Sequence, residues 1–237
     1  MMSLLLLGFL IGMRHAVEAD HVAAVASLAT RSHSLRQAVY QGAVWGLGHT
    51  LTLFLFGSAV LLMSSIRPER LALGLEFVVG LMLIALGIDV LRRLIRERIH
   101  FHLHRHRGDV VHFHAHTHGA DEIHDPHLHE HSHPKKFPVR ALLVGLMHGM
   151  AGSAALILLT LQQVDSAWQG IAYIALFGIG SIAGMAALSV IIAFPLRYSA
   201  QRLTWLHNGL QGMIGIFTLG LGVYVAVEVA VSQGLFV

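Results

Sequence analysis

Six long apolar segments constrain this chain more than any other feature. They cover residues 4–29, 38–64, 71–91, 139–162, 168–195 and 206–231. A bilayer core about 30 Å thick is crossed by roughly 20 helical residues. It holds no water to satisfy a backbone, so spanning segments of this length must be helices. The expected fold is therefore an all-α integral membrane protein of about six transmembrane helices. Only 12% of the 237 residues are charged, about half the share found in soluble domains. The first segment is interrupted. Its apolar run stops near Met13, meets Arg14-His15-Ala16-Val17-Glu18-Ala19-Asp20-His21, and resumes. Such a stretch is either a broken helix or a helix facing a polar cavity.

Charge gives the sidedness. With the N-terminus outside, thirteen Lys/Arg fall in the inside connections and two, Arg67 and Arg70, in the outside ones. Cytoplasmic loops carry the positive excess, so the expected location is the cytoplasmic (inner) membrane, with both termini outside. The basic pI of about 9.7 is explained by this topology and not by nucleic acid, for which no partner role is expected. The N-terminus has no basic leader region and reads as a retained helix. There are no cysteines, so a metal would be held by imidazole, carboxylate, thioether, backbone or water. That chemistry suits nickel, cobalt or zinc better than copper(I).

The only long connection, residues 99–137, separates two halves, 1–98 and 138–237. It holds thirteen of the 19 histidines. Three runs alternate histidine with another residue: His100, His102, His104, His106; His112, His114, His116, His118; and His127, His129, His131, His133. This composition cannot bury a core and predicts a disordered cytoplasmic loop. Neutral imidazoles at this density predict auxiliary metal binding.

The halves resemble each other. Gly8 to Met13 aligns with Gly145 to Met150, Gly46-Leu47-Gly48-His49 with Gly178-Ile179-Gly180-Ser181, and Glu76, Gly80, Gly87 with Gln211, Gly215, Gly222. The matches keep their order and nearly constant spacing. Copies of three helices must have opposite orientation, and inverted repeats with a midplane site and broken helices mark secondary transporters. The expected breaks are 12–16 and 149–153.

Ionisable groups at membrane depth are costly and usually functional. His15, Glu18, Asp20 and His21 share one segment, yet on a straight helix His15 and His21 would point about 120° apart. Either the segment unwinds or some members orient the ligands of others. His49 follows two glycines, and His148 sits at the matching break in the second half. Glu76 is a mid-membrane carboxylate that suits a ligand, a proton carrier or a packing partner. Asp89 and Glu228 lie near helix ends, where snorkelling accounts for them, and Met13 and Met150 read as core. The candidate metal residues are thus His15, Glu18, Asp20, His21, His49, Glu76 and His148.

His15-Ala16-Val17-Glu18-Ala19-Asp20-His21-Val22, preceded by Arg14, resembles the signature of the nickel/cobalt transporter family, with Glu18 in place of an aspartate and Val22 in place of an isoleucine. Gly48-His49-Thr50 resembles the family's Gly-His-Ser element. Gly145-Leu146-Met147-His148-Gly149-Met150-Ala151-Gly152-Ser153-Ala154-Ala155-Leu156 is similar to the UreH-like branch of urease-accessory nickel permeases. The resemblance implies a non-enzymatic permease for Ni2+ or Co2+, with no prosthetic group and with His15, Asp20, His21 and His49 essential. It also implies cytosolic nickel chaperones or urease maturation proteins as candidate partners. Larger family members have eight helices and an Asp-Thr-Ala-Thr-Glu-type element that this chain lacks. Uptake is the expected direction, and efflux or a membrane metal buffer or sensor the alternative. No phosphate-binding Gly-x-x-x-x-Gly-Lys-Ser/Thr is present, so the drive is an ion gradient, membrane potential or partner. No His-Glu-x-x-His or di-iron histidine box is present either.

Overall fold

The computed structural model describes residues 2–32, 34–62, 69–96, 100–105, 111–116, 137–149 and 167–233. Among them the first apolar segment is two helices, α1 (Met2–His15) and α2 (Ala19–Ala29). The second and third are α3 (Leu35–Leu62) and α4 (Glu69–Arg96). The fourth begins as α5 (Val139–His148), and its expected continuation to residue 162, including most of the break at 149–153, lies outside the described residues. The fifth and sixth are α6 (Ala167–Arg202) and α7 (Thr204–Val227), the latter prolonged by a π-helical turn over Glu228–Ser232.

Three stretches, Leu73–Arg96, Trp168–Ala200 and Thr204–Ser232, are long and apolar enough to cross a membrane. The 28-residue α3 has the length, about 42 Å at 1.5 Å per residue, but carries Gln37, Gln41 and His49. Large apolar side chains such as Leu55, Ile191 and Ile216 stay exposed on the outer surface, as lipid contact allows. The chain is a membrane protein.

Two expected boundaries move. The fifth helix does not stop at Pro195 but runs through it for 36 residues. An interior proline costs a hydrogen bond, and membrane helices tolerate it where neighbours satisfy the freed group. In the third connection, two parts of the segment expected to be disordered pair as an antiparallel ribbon, β1 (His100–Arg105) with β2 (Val111–His116). His100 faces His116 in the register, His102 faces His114, and His104 faces His112. Histidine alternates there with Phe, Leu, Val and Ala, and a period of two is the strand period. Six of the twelve histidines in the alternating runs, His106, His118, His127, His129, His131 and His133, fall outside the described residues.

Helix packing is reciprocal. α1 lies against α6 as α5 lies against α3; α3 crosses α6, and α4 pairs with α7. A Cβ on Gly12 of α1 would fall 2.0 Å from the Phe177 carbonyl oxygen of α6. One on Gly145 of α5 would fall 2.1 Å from the Trp45 carbonyl oxygen of α3. Likewise Gly87 abuts Leu219 N and Gly222 abuts Ile84 N, each at 2.6 Å from such a Cβ. Glycines therefore let backbones touch. These contacts match Gly12 with Gly145, one helical turn from the register read off the sequence, which paired Gly12 with Gly149. Gly8/Gly12 and Gly145/Gly149 are both spaced by four, so either register looks alike in sequence.

Asp89 is not a snorkelling group. Its carboxylate accepts from Arg31 Nη2 at 2.6 Å and Arg140 Nη2 at 3.1 Å, and Arg93 Nε lies 3.6 Å away. It thereby ties the chain after α2 and the start of α5 to α4. Asp89→Ala is expected to destabilise the protein by about 1–2 kcal/mol, the cost of charge-assisted hydrogen bonds reduced for partial exposure. A lowered thermal midpoint in detergent would register this; an unchanged one would leave the cluster energetically idle.

Candidate metal centre

The centre is built at the break between α1 and α2. Val17 N–H donates to Arg14 O at 3.0 Å and Glu18 N–H to His15 O at 3.1 Å, closing α1 with a tight turn. Glu18 is then extended (φ −64°, ψ 149°) and α2 starts at Ala19. The break thus falls at residues 16–18, just beyond the expected 12–16. It solves the direction problem of a straight helix: His15 ends one helix, Asp20 and His21 begin the next, and the His15 and His21 ring centroids come within 4.2 Å.

Two further helices complete the centre. His49 comes from the middle of α3 and His148 from the last residue of α5. A Cβ on Gly149 would stand 2.3 Å from the His49 carbonyl oxygen, so glycine is what lets the end of α5 reach the His49 level. His15, His21, His49 and His148 are all at most 2% exposed. His15 Nε2 and His49 Nε2 are 3.3 Å apart.

The carboxylates orient rings. Asp20 Oδ1 lies 2.8 Å from His21 Nδ1, and Asp20 Oδ2 lies 2.9 Å from His148 Nε2. An ionised carboxylate only accepts, so each of those nitrogens carries its ring's proton and the other is left with a lone pair. Those other nitrogens, His21 Nε2 and His148 Nδ1, are buried without a hydrogen-bond partner, as is His49 Nδ1. Glu18 Oε1 stands 2.8 Å from His15 Nδ1 without hydrogen-bond geometry, so that nitrogen too is buried and unpaired, while His15 Nε2 faces His49 Nε2. Carboxylate behind imidazole is the arrangement that fixes metal-ligating histidines.

Among the described residues, two groups have ligand atoms within 4.8 Å of one another: His15, His21, His49 and Asp20, His21, His148. The structure thus gathers five of the seven predicted intramembrane residues. Glu18 backs His15 from a half-exposed position. Glu76, half-buried on α4, joins neither group. Two residues missed by the sequence reading wall the centre: Phe177, with its ring 5.3 Å from His15, and Trp45, 5.6 Å from His148. Each lies one turn before an aligned position, His49 or Ser181, and that spacing was the available signal.

The sequence is 34% identical over its whole length to urease accessory protein UreH of Bacillus sp. (strain TB-90), covering 96% of that protein. The chain belongs to the UreH-like branch of the nickel/cobalt transporter family. It is also 26% identical, over 89% of each chain, to a Methanocaldococcus jannaschii protein provisionally named as a nickel/cobalt efflux system. No protein-family model and no solved structure matches it. Within this UreH-like chain the second half supplies His148 to the centre built by the first.

Proposed function

We propose that this UreH-like protein is a secondary transporter that moves Ni2+ or Co2+ across the cytoplasmic membrane through the His/Asp centre. The observation that carries the reading is the set of buried, unpaired ring nitrogens around Asp20. Unpaired buried polar atoms cost free energy, and four imidazoles beside one carboxylate cannot be accounted for as packing. A divalent ion of the nickel–cobalt–zinc type satisfies them. The name of the M. jannaschii relative fits that cargo class.

The reciprocal helix contacts support an inverted repeat of two three-helix units, with alternating access around the centre. Uptake is the direction favoured by energetics: an inside-negative potential contributes about 4.6 kcal/mol per 100 mV to entry of a divalent cation, twice the single-charge value. Efflux is the second reading, favoured by the name of the M. jannaschii relative. Inside, the histidine-rich loop would receive or load the ion, and a urease-accessory relative makes nickel chaperones or urease maturation proteins the partners to test.

The test is nickel and cobalt flux into liposomes containing a metal-sensitive dye. Saturable flux that His49→Ala abolishes and deletion of residues 101–133 spares is the expected result. No flux in either orientation, with metal binding lost only on loop deletion, would replace the transporter with a metal buffer.

A further inference from the structure

The two donor groups share His21, and one further member of each, His15 in the first and His148 in the second, occupies a mirrored place. The His21 ring centroid is 4.2 Å from that of His15 and 4.3 Å from that of His148. His15 ends α1 and packs on Phe177 of α6; His148 ends α5 and packs on Trp45 of α3. The backbone contacts of Gly12 with Phe177 and of Gly145 with Trp45 exchange the same helices in the same way. Gly12 precedes His15 by three residues and Gly145 precedes His148 by three. His15 and His148 are thus equivalent positions of the two halves, with His21 midway between them.

We infer that the centre offers one ion two overlapping positions, His15–His21–His49 and Asp20–His21–His148, and that transport passes the ion from one to the other around His21. His21 has a nitrogen for each. Nε2 is buried and unpaired and serves the first, while Nδ1, which holds the ring's proton against Asp20 when no ion is bound, serves the second once the ring changes tautomer. The groups are too close for two divalent ions to be held at once without strong repulsion, so occupancy alternates. If the halves are inverted copies, the operation that exchanges His15 with His148 also exchanges the two sides of the membrane. Each position then serves one side. A ligand common to both lets the ion move without ever being stripped of all its donors. This keeps each step shallow, as conduction through a site requires. The inference rests on the transport reading for its purpose, but the existence of two positions is tested by binding alone.

The experiment uses the full-length chain with its loop histidines replaced by glutamine, and Co2+ as the probe. Its d–d absorption reports coordination, and a titration in detergent gives stoichiometry. One equivalent should bind to the parent chain. His15→Gln and His148→Gln should each still bind one equivalent, with spectra that differ from each other, while flux in liposomes falls at least tenfold in both. His21→Gln should lose binding. Asp20→Asn, which keeps a hydrogen-bond acceptor for the rings, should give the spectrum of His148→Gln, since both leave only the first position. Loss of all binding in His15→Gln, or an unchanged spectrum and flux in His148→Gln, would overturn the two positions in favour of one. The retained equivalent and its spectrum guard against mistaking misfolding for loss of a ligand. Absence of flux in the parent chain together with this binding pattern would overturn only the transport reading.

Discussion

His21→Ala is expected to cost at least about 100-fold in nickel or cobalt flux and to remove specific binding at the centre. The magnitude follows from position. Altering a group that merely orients a metal ligand costs 10–100-fold in affinity or activity, and His21 is itself a member of both donor groups. Its ring lies within 5.1 Å, centroid to centroid, of His15, His49 and His148. Its loss also removes the ring's contact with Asp20 Oδ1, leaving that oxygen to the backbone N–H of residue 21 and Oδ2 to His148. Radioactive or dye-reported nickel entry into liposomes, with the protein's elution profile as the folding control, measures the effect. A well-folded variant with flux within threefold of the parent would remove His21 from the path and the histidine centre from the mechanism.

Much of this centre was legible in the chain because membrane depth makes polar residues informative. An apolar run broken by His15, Glu18, Asp20 and His21 has few structural explanations when each charged group is costly to bury. The helical periodicity even showed that a straight helix would fail, and the turn at Ala16 to Glu18 is the resolution. Three things were not legible. Glu76 read equally as a ligand, a proton carrier or a packing partner, since sequence gives its depth but not its direction, and among the described residues it joins neither donor group. Asp89 looked like a snorkelling end group because Arg31 and Arg140, which hold it, are distant in sequence. The packing pairs Gly12 with Gly145, one turn from the register read in the sequence, where glycines recur every four residues in both stretches. Only backbone contacts distinguish Gly145 from Gly149 as the counterpart of Gly12. In that contact pattern His148 packs on Trp45 as His15 packs on Phe177.

Gly145→Val should be among the most damaging changes outside the donor groups, and it tests whether backbone contact between α3 and α5 sets the centre's geometry. A Cβ at Gly145 would sit 2.1 Å from the Trp45 carbonyl oxygen and 3.1 Å from His49 N. The obstruction is backbone, so no rotamer change relieves it; the helices must separate. Overpacking a tight site costs about 1–3 kcal/mol, and more where the neighbour cannot yield. Separation would also carry His148 away from Asp20, breaking a 2.9 Å contact. Gly145→Val should therefore lose high-affinity Co2+ binding and elute as aggregated or destabilised protein, and Gly145→Ala should show the same defect in weaker form. Gly209 is the contrast. A Cβ there meets nothing within 4 Å, and replacing an interior helical glycine with alanine gains up to about 1 kcal/mol in propensity. Gly209→Ala should match or exceed the parent's thermal midpoint and bind Co2+ normally. Equal behaviour of the Gly145 and Gly209 variants would mean that the α3–α5 spacing is looser than this packing, and that the position of His148 is set elsewhere.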